Sequence, residues 1–352
     1  MKAVVLEEID KISIRDIDIK EELGPSDVRI RIANVGVCGS DVHYYKHGRI
    51  GDFVVREPMV LGHEASGVIM EAGSAVTNLK PGDRVCMEPG IFDPQSREAM
   101  QGMYHLDPAI RFWATPPIHG VLRESVVHPA SLTFKLPDNV SLEEAVLAEP
   151  LTSGVHVARK VGISPGDTAV VAGAGTIGSL MALALIASGC SRVIITDVKQ
   201  EKLDFLATHY GERLIPFNVA RGELKDFVLQ HFEHGADLFV DCSGNAAAIA
   251  AAPHCLRGGG KIVFVGMPQG LVPIDIVAMQ IKEISTYSIF RYANDFERSV
   301  ALIASGQINV KPLVSRRFAF ADSVKAFDYA ASGQPDVIKV VINLMEPEAA
   351  RA

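Results

Sequence analysis

The sequence predicts an α/β protein in which a doubly wound parallel sheet is joined to a β-rich part. Three observations carry this. Residues 1 to about 150 hold short apolar runs punctuated by Gly and Pro. From about residue 151 strand-like and helix-like segments alternate. A glycine-rich turn, Gly173-Ala174-Gly175-Thr176-Ile177-Gly178, stands between the first strand and the first helix of that alternation.

The elements follow in order. Ala3-Val4-Val5-Leu6, Val28-Arg29-Ile30-Arg31-Ile32 and Gly67-Val68-Ile69-Met70 read as strands, and the second alternates with the period of a half-buried strand. Turn clusters lie at Gly24-Pro25-Ser26-Asp27 and Pro81-Gly82-Asp83. Thr168–Ala172 is a buried strand, Thr176–Ser188 an Ala/Leu-rich helix, Arg192–Thr196 a second strand and Gln200–His209 a second helix. Leu238–Asp241 and Lys261–Val265 read as later strands. After about residue 305 the pattern loosens. Arg317–Phe320, a helix over Ser323–Ala331 and Ile338–Ile342 could return to the first part, and periodicity alone leaves that open. Glu346–Ala352 is expected to fray. There is no internal repeat and no low-complexity tract.

Composition narrows the function. The 352 residues exceed one average domain of about 150, so two domains are expected. A net charge of −8 argues against gripping phosphate backbones, so no nucleic-acid partner is expected. Five cysteines are odd and sparse, which speaks against a disulfide scaffold and for a reducing compartment. No run of about 18 apolar residues exists, so no membrane partner is expected either. The N-terminus turns acidic at Glu7-Glu8, unlike a signal peptide, and the expected location is the cytoplasm.

The glycine-rich turn has a specific physical reading. Gly173 permits the tight turn, Gly175 lets the backbone approach a pyrophosphate, and Gly178 lets the helix pack close to the strand. The helix opening at Thr176 and Ile177 offers unpaired N–H groups and positive potential to phosphates. Asp197 follows at the end of the second strand, nineteen residues beyond Gly178, where a ribose-binding acid belongs. The bland alternative is a structural turn and a capping Asp. An acid there accepts from both ribose hydroxyls and repels a 2′-phosphate; Val198 comes next, so NAD is favoured over NADP. Lys199 and Lys202 are the only cations close by in the sequence.

A second constellation lies in the first part. Cys38 sits in Gly36-Val37-Cys38-Gly39-Ser40-Asp41, His63 and Glu64 stand between Gly62 and Gly67, and Glu149 precedes Pro150 just before the alternating region. A thiolate, an imidazole and carboxylates can hold Zn²⁺ with one position open. Taken singly none is diagnostic, because a lone Cys is more often a buried hydrophobe.

Together Gly62-His63-Glu64 with Gly67, Lys80-Pro81-Gly82-Asp83-Arg84-Val85 and the glycine-rich turn resemble the zinc-dependent medium-chain dehydrogenase/reductase family over essentially the whole chain. Within it the polyol group, the sorbitol and xylitol dehydrogenases, is most similar. The stretches that carry this are Cys38–Tyr45, Gly48–Phe53, Phe112–Pro117 and Ile289–Tyr292. Glu149 stands where simple alcohol dehydrogenases usually carry Cys.

The resemblance implies a Rossmann domain inserted into a GroES-like β-rich catalytic domain. Residues 1–150 and 292–352 fall to the catalytic domain and 151–291 to the NAD-binding domain. It implies one catalytic zinc held by Cys38, His63 and one or both of Glu64 and Glu149. Many relatives hold a second, structural zinc on four cysteines after the stretch matching Glu88-Pro89-Gly90. Ile91–Pro108 has no cysteine here, and Asp93, Glu98, His105 and Asp107 lack a zinc spacing, so no structural zinc is expected. Ser40 and His43 match a proton relay, with Glu64 and Glu149 as rival acceptors. Tyr44, Phe112, Thr115, Glu149, Arg291 and Tyr292 match substrate-facing positions, though Phe112 could simply pack and Arg291 could be a structural ion pair. Lys202, Val265, Gly266, Phe290 and Arg291 are further expected cofactor contacts. The implied activity is NAD-dependent oxidation of a polyol, xylitol or sorbitol, to the 2-ketose. Alternatives are another zinc dehydrogenase acting on L-threonine, butanediol or simple alcohols, and a non-catalytic crystallin-like member. A homodimer or homotetramer is implied, pairing around residues 283–290.

Overall fold

A computed structural model describes residues 1–345, and the tail expected to fray, Glu346–Ala352, lies outside the described residues. The chain divides into two units, Met1–Glu149 with the residues from Ser299 on, and Pro150–Arg298.

The first unit is built on the strand Asp27–Val37. Val28, Ile30 and Ile32 are buried, as the period-two pattern predicts. Glu64–Ala72 pairs antiparallel with this strand in a register that sets Gly36 opposite Glu64. Ser125–Pro129 and Lys339–Asn343 pair antiparallel with it as well. Lys339–Asn343 in turn runs parallel to Val314–Ala319. The C-terminal strands thus belong to the N-terminal sheet, a point periodicity left open. Val5, Ile30, Leu61, Leu122, Phe327 and Ile342 are part of the apolar core.

One buried histidine shows what this core does to a charge. His128 on Ser125–Pro129 has no solvent exposure, and its ring centroid lies 4.3 Å from that of Trp113. Its Nε2–H donates to the Glu88 carbonyl at 2.9 Å, while Nδ1 has no hydrogen-bond partner. Burial drives the imidazole pKa down to about 3, although the backbone of Glu88 and Leu132 works the other way.

The second unit is a six-stranded parallel sheet. Its spatial order is Leu214–Asn218, Arg192–Asp197, Thr168–Ala172, Ala236–Asp241, Leu256–Phe264, Ser285–Ser288. Numbered along the chain this is 3-2-1-4-5-6, the dinucleotide-binding order, with the strand order reversing beside Thr168–Ala172. The predicted helices form over Thr176–Ala187 and Gln200–Tyr210. Leu214–Asn218 is not legible as a strand because Pro216 interrupts it; at the sheet edge a proline is tolerated.

The sign of the His128 effect follows from linkage. Unfolded, the ring binds a proton near pH 6.5; folded, it resists to about 3. Stability should therefore fall by about 1.4 kcal/mol per pH unit from this group between those values, with no contribution to the slope above them. His128→Gln keeps a donor and removes the titration. Denaturant unfolding from pH 6 down to 4 should show a flatter decline for the variant, and an unchanged slope would remove His128 from the acid response.

Candidate metal centre and nucleotide site

The candidate metal centre lies in the first unit, at one end of its main sheet. Cys38 follows the strand Asp27–Val37 and caps the helix Gly39–His47, while His63 and Glu64 stand where the strand Glu64–Ala72 begins. Pairing of those two strands brings the three residues together, although Cys38 is 25 positions from His63 in the chain. One ligand atom from each of Cys38, His63 and Glu64 lies within 4.8 Å of the others. His63 and Glu64 are buried and Cys38 is half-buried.

Two residues that the sequence did not single out organise this cluster. The Asp41 carboxylate accepts the N–H of Cys38 at 3.1 Å and of Gly62 at 2.9 Å, and its Oδ1 lies 3.8 Å from His63 Nδ1. It is placed to orient the imidazole from behind. Burial pushes the Asp41 carboxyl up, against the lowering by His63 and those N–H groups. Lys339 is the second. Its ammonium donates to both Glu64 oxygens, at 2.8 and 2.6 Å, and both side chains are 1% exposed. Gly36 makes room for the pair, since a Cβ there would overlap the Glu64 carboxylate. Burial alone would pull the lysine pKa down, but Glu64, Cys38 and Glu149 raise it.

The donor set fits a zinc ion. It offers sulfur, imidazole nitrogen and carboxylate oxygen, the mixture that zinc accepts. His63 Nδ1 is buried without a hydrogen-bond partner. Burial lowers the His63 pKa, yet the negative charges of Cys38, Asp41 and Glu149 outweigh it and lift the value well above normal. Such a concentration of buried negative charge draws a cation. Glu149, in the first turn of the helix Ala148–Val161, acts electrostatically on both His63 and Lys339.

Around it, the Phe112 ring centroid lies 5.7 Å from that of His63, and the Thr115 N–H donates to the Phe112 carbonyl at 3.2 Å. Ser40, His43 and Tyr44 share the helix Gly39–His47. Ser40 is half-buried, and Tyr44 is buried in the apolar core. His43 Nδ1 is 2.8 Å from the Arg49 carbonyl, which makes it the protonated nitrogen.

The second unit holds the candidate nucleotide site. Gly173 has φ +100°, and a Cβ on Gly178 would overlap the Gly173 carbonyl. A Cβ on Gly175 would meet nothing, so the backbone there is open to a ligand. Gly175 caps the helix that begins with Thr176 and Ile177. The Asp197 carboxylate accepts the N–H of Ala174 and of Lys199, each at 2.9 Å, and so fixes itself against the turn. A cavity of about 580 Å³ opens beside it, lined by Gly173, Asp197, Val198, Val219, Leu224 and Ser243 among others. Burial lowers the Lys202 pKa, while Asp197 raises it, which puts Lys202 within the field of that carboxylate. The N–H groups of Val265 and Gly266 both donate to the Asp241 carbonyl at 2.9 Å. In the same unit the Arg291 guanidinium lies 4.7 Å over the Phe290 ring, and Tyr292 is buried with its ring 6.2 Å from that of Phe296.

A signal for the two overlooked residues exists. Asp41 stands three positions after Cys38, and Lys339 interrupts the apolar strand Ile338-Lys339-Val340-Val341-Ile342. A cation there needs a buried anion.

Comparison with known proteins agrees with the fold. Residues 24–138 match the alcohol dehydrogenase GroES-like domain, and residues 176–305 match the zinc-binding dehydrogenase domain. The chain belongs to the zinc-dependent medium-chain dehydrogenase family. It is 53% identical over 332 residues to the D-xylulose reductase of Morganella morganii, covering 94% of this chain and 98% of the relative. It is 40% identical over 327 residues to a sorbitol dehydrogenase of Arabidopsis thaliana, covering 92% and 90%. Among solved structures, an Escherichia coli oxidoreductase of unknown specificity superposes with a TM-score of 0.92 at 31% identity, covering 98% of this chain and 99% of that one.

The Lys339–Glu64 pair generates a stability prediction. Lys339→Met leaves a buried carboxylate without its cation and should cost about 3–5 kcal/mol in denaturant unfolding. Adding Glu64→Gln to that variant should restore most of the loss. A single variant as stable as the parent would show that the pair does not hold this part of the fold.

Proposed function

We propose that this zinc-dependent oxidoreductase is an NAD-dependent polyol 2-dehydrogenase. It oxidises xylitol or sorbitol to the 2-ketose, D-xylulose or D-fructose. The observation that carries the reading is the buried cluster of Cys38, His63 and Glu64 with Glu149 in its field, in a chain that also carries a dinucleotide turn backed by Asp197. The similarity to the D-xylulose reductase of Morganella morganii supports the substrate class.

Cys38, His63 and a carboxylate would hold the zinc, which supplies Lewis-acid polarisation of a substrate hydroxyl. Glu64 is engaged by Lys339 through both oxygens, which favours Glu149 as the carboxylate that completes the set. Ser40 passes the substrate proton on, and His43 takes it at Nε2, the nitrogen left as acceptor once Nδ1–H is given to Arg49. Tyr44, Phe112, Thr115, Glu149, Arg291 and Tyr292 recognise the polyol. A site built to pair hydroxyls rejects alcohols that leave those groups unpaired.

Asp197 accepts the adenosine ribose hydroxyls and repels a 2′-phosphate, so NAD is the cofactor. Gly173, Gly175, Thr176, Ile177 and Gly178 take the pyrophosphate. Lys202, Val265, Gly266, Phe290 and Arg291 make further contacts. One zinc per chain is proposed. The lobe where many relatives hold a second zinc closes on its own bonds here: Asp107 accepts the N–H of Asp93 at 2.8 Å and of Ala109 at 2.9 Å, and the Tyr104 hydroxyl donates to Glu88 at 2.8 Å. Five free cysteines fit a reducing cytoplasm, and among the described residues no helix is long and apolar enough to cross a membrane. Exposed Leu271, Ile276, Val277 and Ile281, close in sequence to the edge strand Ser285–Ser288, support a homodimer or homotetramer, which sedimentation would report.

The test is NADH formation on xylitol, sorbitol, ribitol, L-threonine and ethanol, with NADP as the competing cofactor, before and after chelation. A polyol should exceed ethanol in kcat/KM by at least about a hundredfold, and chelation should abolish turnover. Comparable efficiency on ethanol would refute the polyol assignment, and preference for L-threonine would move the chain to another group of the family.

A further inference from the structure

The segment from Arg291 to Asp295 is held in a way its connecting role does not require. Arg291 has φ +58° and Asn294 φ +61°, both in the left-handed region and neither a glycine. Such conformations cost energy and persist only where the surroundings over-determine them.

Asp295 supplies the over-determination. Its carboxylate is fully buried and accepts from Arg159 Nε at 2.8 Å, Arg159 Nη2 at 2.8 Å, Arg298 Nη1 at 2.8 Å and His156 Nδ1 at 2.9 Å. The same guanidiniums reach the backbone. Arg159 Nη2 donates to the Ala293 carbonyl at 2.9 Å, and Arg298 Nη1 to the Asn294 carbonyl at 2.8 Å. His156 and Arg159 are three positions apart on the helix Ala148–Val161 and so share a face. One carboxylate thus locks two arginines, and the arginines lock the two carbonyls that follow Tyr292. Burial works against ionisation of Asp295, but His156 and Arg159 bring its pKa down to about 2, so the lock is closed at every working pH.

We propose that Asp295 is a positioning residue for substrate selection, and that its knot with His156, Arg159 and Arg298 holds the strained backbone that presents Arg291 and Tyr292 to a polyhydroxylated substrate. The proposal rests on the reading above that Arg291 and Tyr292 take polyol hydroxyls. A loop that only joined the strand Ser285–Ser288 to the helix Phe296–Ala304 would need neither the two left-handed residues nor a buried carboxylate with three basic partners.

The experiment compares kcat and KM for xylitol and for 2-propanol, at saturating NAD, in the zinc-loaded enzyme. Asp295→Asn should raise the xylitol KM by about tenfold and leave 2-propanol turnover within about twofold, so that the preference for the polyol collapses. Arg291→Met should collapse the same preference. Arg159→Lys keeps the charge and one bond, and should fall between Asp295→Asn and the parent; it also carries the test if Asp295→Asn does not fold. If Arg291→Met collapses the preference while Asp295→Asn and Arg159→Lys leave it intact, the positioning role is overturned and the substrate reading stands. If Arg291→Met and Tyr292→Phe both leave the preference unchanged, the substrate role of the loop fails and the positioning role fails with it. Equal losses on both substrates at unchanged KM would also overturn it, since that pattern belongs to a merely structural defect.

Discussion

A lysine and a glutamate buried against each other tie the first unit together. Lys339 and Glu64 are 275 positions apart, and their contact sits where the C-terminal strand meets the first long strand. Two ions taken out of water cost several kcal/mol each unless they are paired. Lys339 is therefore confined to the site that holds Glu64. The pairing fixes the register of Lys339–Asn343 against Asp27–Val37, and Gly36 between them must remain without a side chain. The same ammonium offsets part of the negative charge that Cys38, Glu64 and Glu149 bring to one place. A metal cation would offset the rest. Fold and chemistry thus share one electrostatic balance.

That balance separates the roles of similar groups. Glu64 and Glu149 are both carboxylates near His63, and neighbouring charge divides them. Glu64 gives both oxygens to Lys339, whereas Asp41 lies close to the free Nδ1 of the imidazole. His43 is sorted in the same way, since the Arg49 carbonyl fixes which nitrogen carries the proton. In the second unit Asp197 spends part of its hydrogen-bonding capacity on Ala174 and Lys199, which makes it a rigid acceptor.

What was legible in the sequence follows from distance along the chain. The glycine-rich turn, its helix and Asp197 span 25 residues, and Gly173 and Gly178 answer to local conformational demands, so this turn and the acid behind it could be read directly. Cys38 and His63 could be grouped as possible zinc ligands by residue type, but only the family resemblance made that grouping diagnostic, because strand pairing, and no local pattern, joins them. Lys339 and Asp41 were passed over since their meaning lies in partners far along the chain or folded back on it. The edge strand Leu214–Asn218 was hidden by Pro216, which a sheet edge accepts and a centre would not. The restraint on Arg291 is invisible as well, because nothing in Arg291–Asp295 as letters announces left-handed backbone or the two arginines that hold it.

The buried donor set is the point on which the chemistry turns. Zinc K-edge absorption combined with metal analysis of the purified enzyme reads it most directly. The expected result is one zinc per chain with a single sulfur neighbour, from Cys38, and nitrogen or oxygen in the remaining positions. Two zincs per chain, a sulfur-rich shell, or full activity without metal would contradict it.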